Sequence, residues 1–132
     1  MSHRFDRPPG LDDIAGLVEA ALSTIPEPWR GHLRSVPVRV EEFCDEETER
    51  EMDLESPFDL LGLYRGVSLD RKSIADPSPE IDLIFLYRRP ILDYWCESGE
   101  DLTHIVRHVL IHEVGHHFGL SDEDIDRLEA ED

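Results

Sequence analysis

The basic side chains of this sequence are almost all of one kind: against twelve arginines there is a single lysine, Lys72. Basic residues are also scarce as a class, 13 against 31 aspartates and glutamates, for a formal net charge of −18. Such a surface repels polyphosphate backbones and anionic bilayer faces, so neither nucleic acid nor a membrane is expected as a partner. The acidity could favour cationic peptides or metal ions, and it also keeps a protein in solution. Cysteine is limited to Cys44 and Cys96. That is enough for one disulfide at most, and the spacing is not that of a zinc knuckle. Both are read as reduced, mostly buried thiols. No run approaches the ~20 apolar residues that span a bilayer. The first ten residues lack the apolar stretch of a secretory signal, and the expected compartment is the cytoplasm. There is no internal repeat and no linker between domains. A length of 132 residues suits one domain with a modest core. Residues 1–10 are expected as a flexible tail, with Pro8 and Pro9 opposing regular structure, and 11–132 as the single domain.

Within that domain, Leu11, Ile14, Leu17, Val18, Ala21, Leu22 and Ile25 recur at spacings of three and four, the stripe of an amphipathic helix. Pro26 and Pro28 end it. Residues 29–33 read as a further helical turn. Val36, Val38 and Val40 alternate with polar residues, as in a half-buried strand. Cys44 to Glu55 carries seven acids and reads as a solvated loop or mobile segment. Residues 58–63 read as helical or turn-like, 63–69 as a second strand, and 70–80, with Asp76-Pro77-Ser78-Pro79, as a loop. Ile81 to Arg88 is the strongest strand, a near-continuous apolar run. Pro90 opens a helix over 91–97 and Gly99 closes it. The longest helical pattern runs from Asp101 to Phe118 and is apolar over a wide arc, so it should be central. A short helix over 122–128 comes last. The fold class expected is α+β: a small mixed or antiparallel sheet of about three strands, packed on the long helix and the N-terminal helix.

The long helix ends in His112-Glu113-Val114-Gly115-His116, then Gly119, then Asp122. Residues four apart on a helix lie one above the other, so His112 and His116 can offer two imidazoles to one metal ion, with Glu113 beside them. A catalytic zinc has three protein ligands and an open position. Gly119 can end the helix and let the chain turn back, which makes Asp122 the expected third ligand; Glu123 and Asp124 are its rivals. His108 lies one turn before His112 and could support the site or bind metal weakly. His104 has drifted too far around the helix to share the ion.

The stretch His112 to Asp122 resembles H-E-x-x-H-x-x-G-x-x-D, the aspartate variant of the metzincin zinc signature. Together with Pro57 to Gly66 and Ile84 to Ile91, it looks like the small bacterial minimal zincin-like metalloproteases. The resemblance implies a zincin-like fold, Zn2+ held by His112, His116 and Asp122, and Glu113 as the catalytic base. Larger metzincins carry a methionine turn below the metal. None of the ten residues after Asp122 is methionine, so another element forms that floor or the site is weaker.

The activity expected is hydrolysis of peptide bonds in a peptide or protein, with Tyr64, Tyr87 and Tyr94 as possible oxyanion donors and the strand at Leu63 to Val67 as a substrate-binding edge. The rivals are a hydrolase of small amides and a non-catalytic metal-binding or interaction module whose coordination is closed by a fourth protein ligand such as His108 or Asp124. Oligomeric state is not legible.

Overall fold

The fold is that of a computed structural model, which describes residues 7–27, 29–34, 36–68, 80–117 and 121–130. It is α+β. Helix α1 (Leu11–Leu22) is followed by α2 (Trp29–Arg34), strand β1 (Val38–Glu41), α3 (Glu46–Glu51) and a single 3-10 turn at Pro57–Asp59. Then come β2 (Gly62–Ser68), β3 (Glu80–Tyr87), α4 (Arg88–Ser98), α5 (Leu102–His117) and α6 (Asp122–Ala130). The strands form one mixed sheet in the order β1-β3-β2, with β3 parallel to β1 and antiparallel to β2. The most continuous apolar run therefore takes the middle of the sheet, where both faces are covered. Residues 69–79, which include most of the expected loop, lie outside the described residues.

One face of the sheet packs on helices. Ile84 and Leu86 point to that side and are fully buried with Ile14, Leu17 and Val18 of α1 and Val106 and Leu110 of α5. Helix α5 is central, touching α1, α4, α6, β2 and β3. Asp101 starts it: its carboxylate accepts from the His104 amide at 3.3 Å and its carbonyl from the Ile105 amide at 3.1 Å. Helix α1 stops at Leu22, one turn before the apolar stripe does. Ile25 is still buried, held in a turn by its amide donating to the Leu22 carbonyl at 3.2 Å.

The opposite face corrects the expectation for Cys44 to Glu55. The acidic stretch is not simply a solvated loop. Asp45 caps α3, accepting from the Thr48 amide at 2.7 Å, and Cys44 and Thr48 are buried. Glu51 pairs with Arg65 of β2 at 2.6 Å, so α3 is tied to the outer face of the sheet. The acids occupy the solvent side of a helix that buries only Thr48, which is why composition concealed it. The thiols also divide: both are free, Cys44 buried and Cys96 exposed. Helix α4 begins at Arg88 rather than at Pro90. The missing proline amide costs nothing there, because the first four amides of a helix have no intrahelical acceptor. Gly99 ends α4 with φ 73°, as expected. Of the N-terminal ten residues, 1–6 lie outside those described. Pro9 is fully buried, and its carbonyl accepts from Arg88 Nε at 2.5 Å. Among the described residues, no helix is long and apolar enough to cross a membrane.

Candidate metal centre

Helix α5 carries the motif on a rigid support. Its upstream two-thirds is locked by Leu102, Ile105, Val106, Val109, Leu110 and Ile111, all buried, and its downstream end bears the H-E-x-x-H stretch. His112 is partly exposed, with 37% of its side chain accessible. Glu113 is half-buried and faces the start of β2: a Cβ on Gly62 would lie 3.4 Å from Glu113 Cγ and only 2.5 Å from Val109 Cγ1. Gly62 thus lets an edge strand lie directly against α5, at the residue expected to act as base. His116 stands one turn after His112 within α5, and Asp122 opens α6. The side chains of both, and residues 118–120 with the expected helix-ending Gly119, lie outside the described part of the structure. Among the described side chains, His112 faces His108 and Glu129 while its neighbour Glu113 faces Gly62, and the expectation of His116 and Asp122 as ligands rests on their positions in the chain.

Asp124, the rival third ligand, has its carboxylate committed elsewhere. One oxygen accepts from the Ser121 amide at 3.3 Å and the other from Arg127 at 3.1 Å, while Ser121 Oγ accepts from the Asp124 amide. This is a reciprocal cap on α6. Glu123 is exposed.

Sequence reasoning missed Glu129. Helix α6 runs back along α5, buries Ile125 completely, and brings Glu129 Oε1 to 2.8 Å from His112 Nε2 and 2.9 Å from His108 Nδ1. The signal was available: Glu129 comes four residues after Ile125, so an acid shares the apolar face of an acidic helix. The backbone at Glu129 is held by Arg107, itself buried, which donates to the Glu129 carbonyl at 3.1 Å and to Thr24 Oγ1 at 2.8 Å. The imidazoles of His108 and His112 lie with centroids 4.2 Å apart and planes at 38°. Burial pushes His108 towards its neutral form, opposed by the Glu129 carboxylate and reinforced by the neighbouring His112.

Of the tyrosines, Tyr87 belongs to the other side of the sheet, stacked with Phe85 at 6.2 Å and near Cys44 and Asp45. Tyr64 is two residues beyond Gly62, hence on the α5 side, but its hydroxyl is buried and raised in pKa by that burial and by Asp82. Tyr94 is exposed, beside a groove of 230 Å³ floored by Leu61, Ile105 and Val109 and rimmed by His104 and His108.

The donor set suits zinc, for which imidazole nitrogen and carboxylate oxygen are ordinary ligands. The buried Glu129 oxygen beside two imidazoles fits a cation at this end of α5. A three-stranded α+β domain with H-E-x-x-H on a central helix is the arrangement of a small metal-dependent hydrolase. The model of the zincin-like metallopeptidases matches residues 33–131, and the chain belongs to that family, one of zinc-dependent peptidases. No curated protein matches the chain closely enough to count as a relative.

Proposed function

We propose that this chain is a zinc-dependent peptidase in which His112, His116 and Asp122 hold the metal and Glu113 is the general base. The observation that carries the reading is the place of Glu113: next to His112 on the metal-binding helix, and against the first residue of the edge strand β2. Zinc bound by such a set supplies Lewis acidity, polarising a carbonyl and acidifying water. Glu113 accepts a proton from the attacking water and passes it to the departing amine. Among the described residues the outer edge of β2 has no strand beside it, so an extended peptide can add there through main-chain hydrogen bonds. The groove next to β2 then receives one side chain of the substrate, and its apolar floor favours an apolar one.

The test is cleavage of a peptide library by the zinc-loaded protein, with chelation and Glu113→Gln as controls. The expected result is metal-dependent cleavage that falls by roughly 100-fold or more in Glu113→Gln while zinc stays bound. Unchanged cleavage by that variant overturns the role of Glu113. A protein that holds zinc yet cleaves neither peptides nor small amides supports a second reading, a non-catalytic metal-binding module. The specific observation behind that reading is the carboxylate of Glu129 at His112 Nε2, with His108 beside it: extra protein donors that could close the coordination.

A further inference from the structure

Three groups capable of binding a metal converge in a set that has only His112 in common with His112, His116 and Asp122. They are His108 Nδ1, His112 Nε2 and Glu129 Oε1, all within 4.8 Å of one another. The carboxylate oxygen is buried and accepts no hydrogen bond of good geometry among the described residues, although the two nitrogens stand at 2.9 and 2.8 Å. Lone pairs converging without aligned N–H groups are what a cation needs. Zinc bonds of about 2.0–2.2 Å place tetrahedral donors roughly 3.4 Å apart. The two imidazole–carboxylate spacings open to that by roughly half an ångström, within reach of a glutamate side chain, and the two imidazole nitrogens stand within 4.8 Å of each other. The framework is already fixed: the imidazoles sit one turn apart on α5, and Arg107 anchors the α6 backbone at Glu129.

We propose that His108, His112 and Glu129 form a second zinc-binding set. It shares His112 with the first, so the two sets compete for a single ion in each chain. A ring nitrogen offers one lone pair, and His112 Nε2 cannot serve both at once. With three protein donors and one open position, the second set takes a borderline cation such as zinc or cobalt(II). It offers the ion a resting place one helical turn upstream of the first set. The proposal shares one residue with the peptidase reading but needs neither catalysis nor His116 and Asp122.

The experiment uses the full chain stripped of metal, titrated with zinc by calorimetry and with cobalt(II) by visible absorption. Two variants remove the first set: His116→Ala/Asp122→Ala, and the shape-conserving His116→Gln/Asp122→Asn. Each is expected to stay folded by circular dichroism and to bind about one zinc per chain, more weakly than the parent and with an altered cobalt spectrum. Adding His108→Ala or Glu129→Gln to either should weaken binding at least roughly 10-fold. The same single changes in the parent should leave zinc affinity nearly as it was. Folded double variants that bind no zinc, or whose binding ignores His108 and Glu129, overturn the proposal. Peptide cleavage by the parent is scored separately. Cleavage by a parent whose double variants bind no zinc upholds the peptidase and overturns the second set. Zinc held by the double variants of a parent that cleaves nothing does the reverse.

Discussion

Arg107 Nη1 donates to the carbonyl of Glu129 at 3.1 Å, joining the middle of α5 to the last turn of α6. The same guanidinium reaches Thr24 beyond the end of α1 through Nε, so one buried cation ties three helices together at the level of the histidines. It also places a positive charge at the C-terminus of α6, where the last carbonyls have no helical partner. Arg107→Met keeps much of the volume but takes the buried donor away from the Glu129 carbonyl and Thr24 Oγ1, both part-buried acceptors. It should cost roughly 2–4 kcal/mol of stability, read by urea denaturation. In the His116→Gln/Asp122→Asn background zinc affinity should fall as well, because the end of α6 that carries Glu129 is released. A variant as stable as the parent would show that the three-helix tie contributes nothing.

Gly62 tests whether the edge strand must lie against the helix. Alanine there places Cβ 2.5 Å from Val109 Cγ1 and 3.1 Å from the Phe85 carbonyl oxygen. Either β2 moves away from Glu113 or α5 yields. Gly62→Ala should therefore destabilise by about 1–3 kcal/mol and reduce any peptide cleavage more than it reduces zinc binding. Val109→Ala removes the closest clash, so the double variant should be less damaged than the sum of the single ones by roughly 1 kcal/mol. Additive losses would mean that the two residues do not meet.

These contacts mark where the sequence was readable. Apart from α3, the order of the elements from α1 to α6 came from periodicity and from proline and glycine punctuation, because these elements carry apolar residues at regular spacing and end where backbone chemistry requires. The central place of α5 came from its wide apolar arc. Helix α3 escaped notice: six residues with only Thr48 buried carry too little apolar signal to stand out from acidic composition. The H-E-x-x-H motif was legible because His112, Glu113 and His116 lie within about one helical turn of each other. The approach of Glu129 was not, since it depends on α6 folding back along α5, a tertiary fact hinted at only by Ile125 four residues earlier. Arg107 was overlooked for the same reason: its acceptors, Thr24 and the Glu129 carbonyl, are 83 and 22 residues away in the chain.

The two cysteines should differ sharply in reactivity. Burial pushes the Cys44 thiol above its ordinary value of 9.0, and the nearby carboxylates of Glu49 and Asp45 push it the same way. Cys96 is exposed on α4. Alkylation of the folded protein followed by peptide mass spectrometry should modify Cys96 at least roughly 10-fold faster than Cys44. Denaturant should erase the difference. The raised value also sets the sign for stability: the thiol's contribution is fully present below 9.0 and is lost as pH rises through the higher folded value. Equal labelling in the native state would place the Cys44 thiol at the surface.

Asp45 offers the opposite pH dependence. Its carboxylate is held below the ordinary 3.8, first by hydrogen bonds from the Thr48 side chain and backbone, with smaller help from Arg65 and Arg50. A depressed carboxyl contributes stability that is present above 3.8 and fades as pH falls through the lower folded value. Asp45→Ala should therefore cost about 1 kcal/mol at neutral pH, the usual worth of a helix cap. The gap between variant and parent should narrow once the solution is more acidic than the folded pKa. Asp45→Asn, which can still accept from the Thr48 amide, should recover part of the loss at neutral pH and show little pH dependence of its own. Since α3 is tied to the sheet through Glu51 and Arg65, loosening the cap should also raise hydrogen exchange at the Thr48 amide, which donates to Asp45 Oδ1. A stability gap that stays constant from neutral to strongly acidic solution would show that the charge on Asp45 is immaterial to α3.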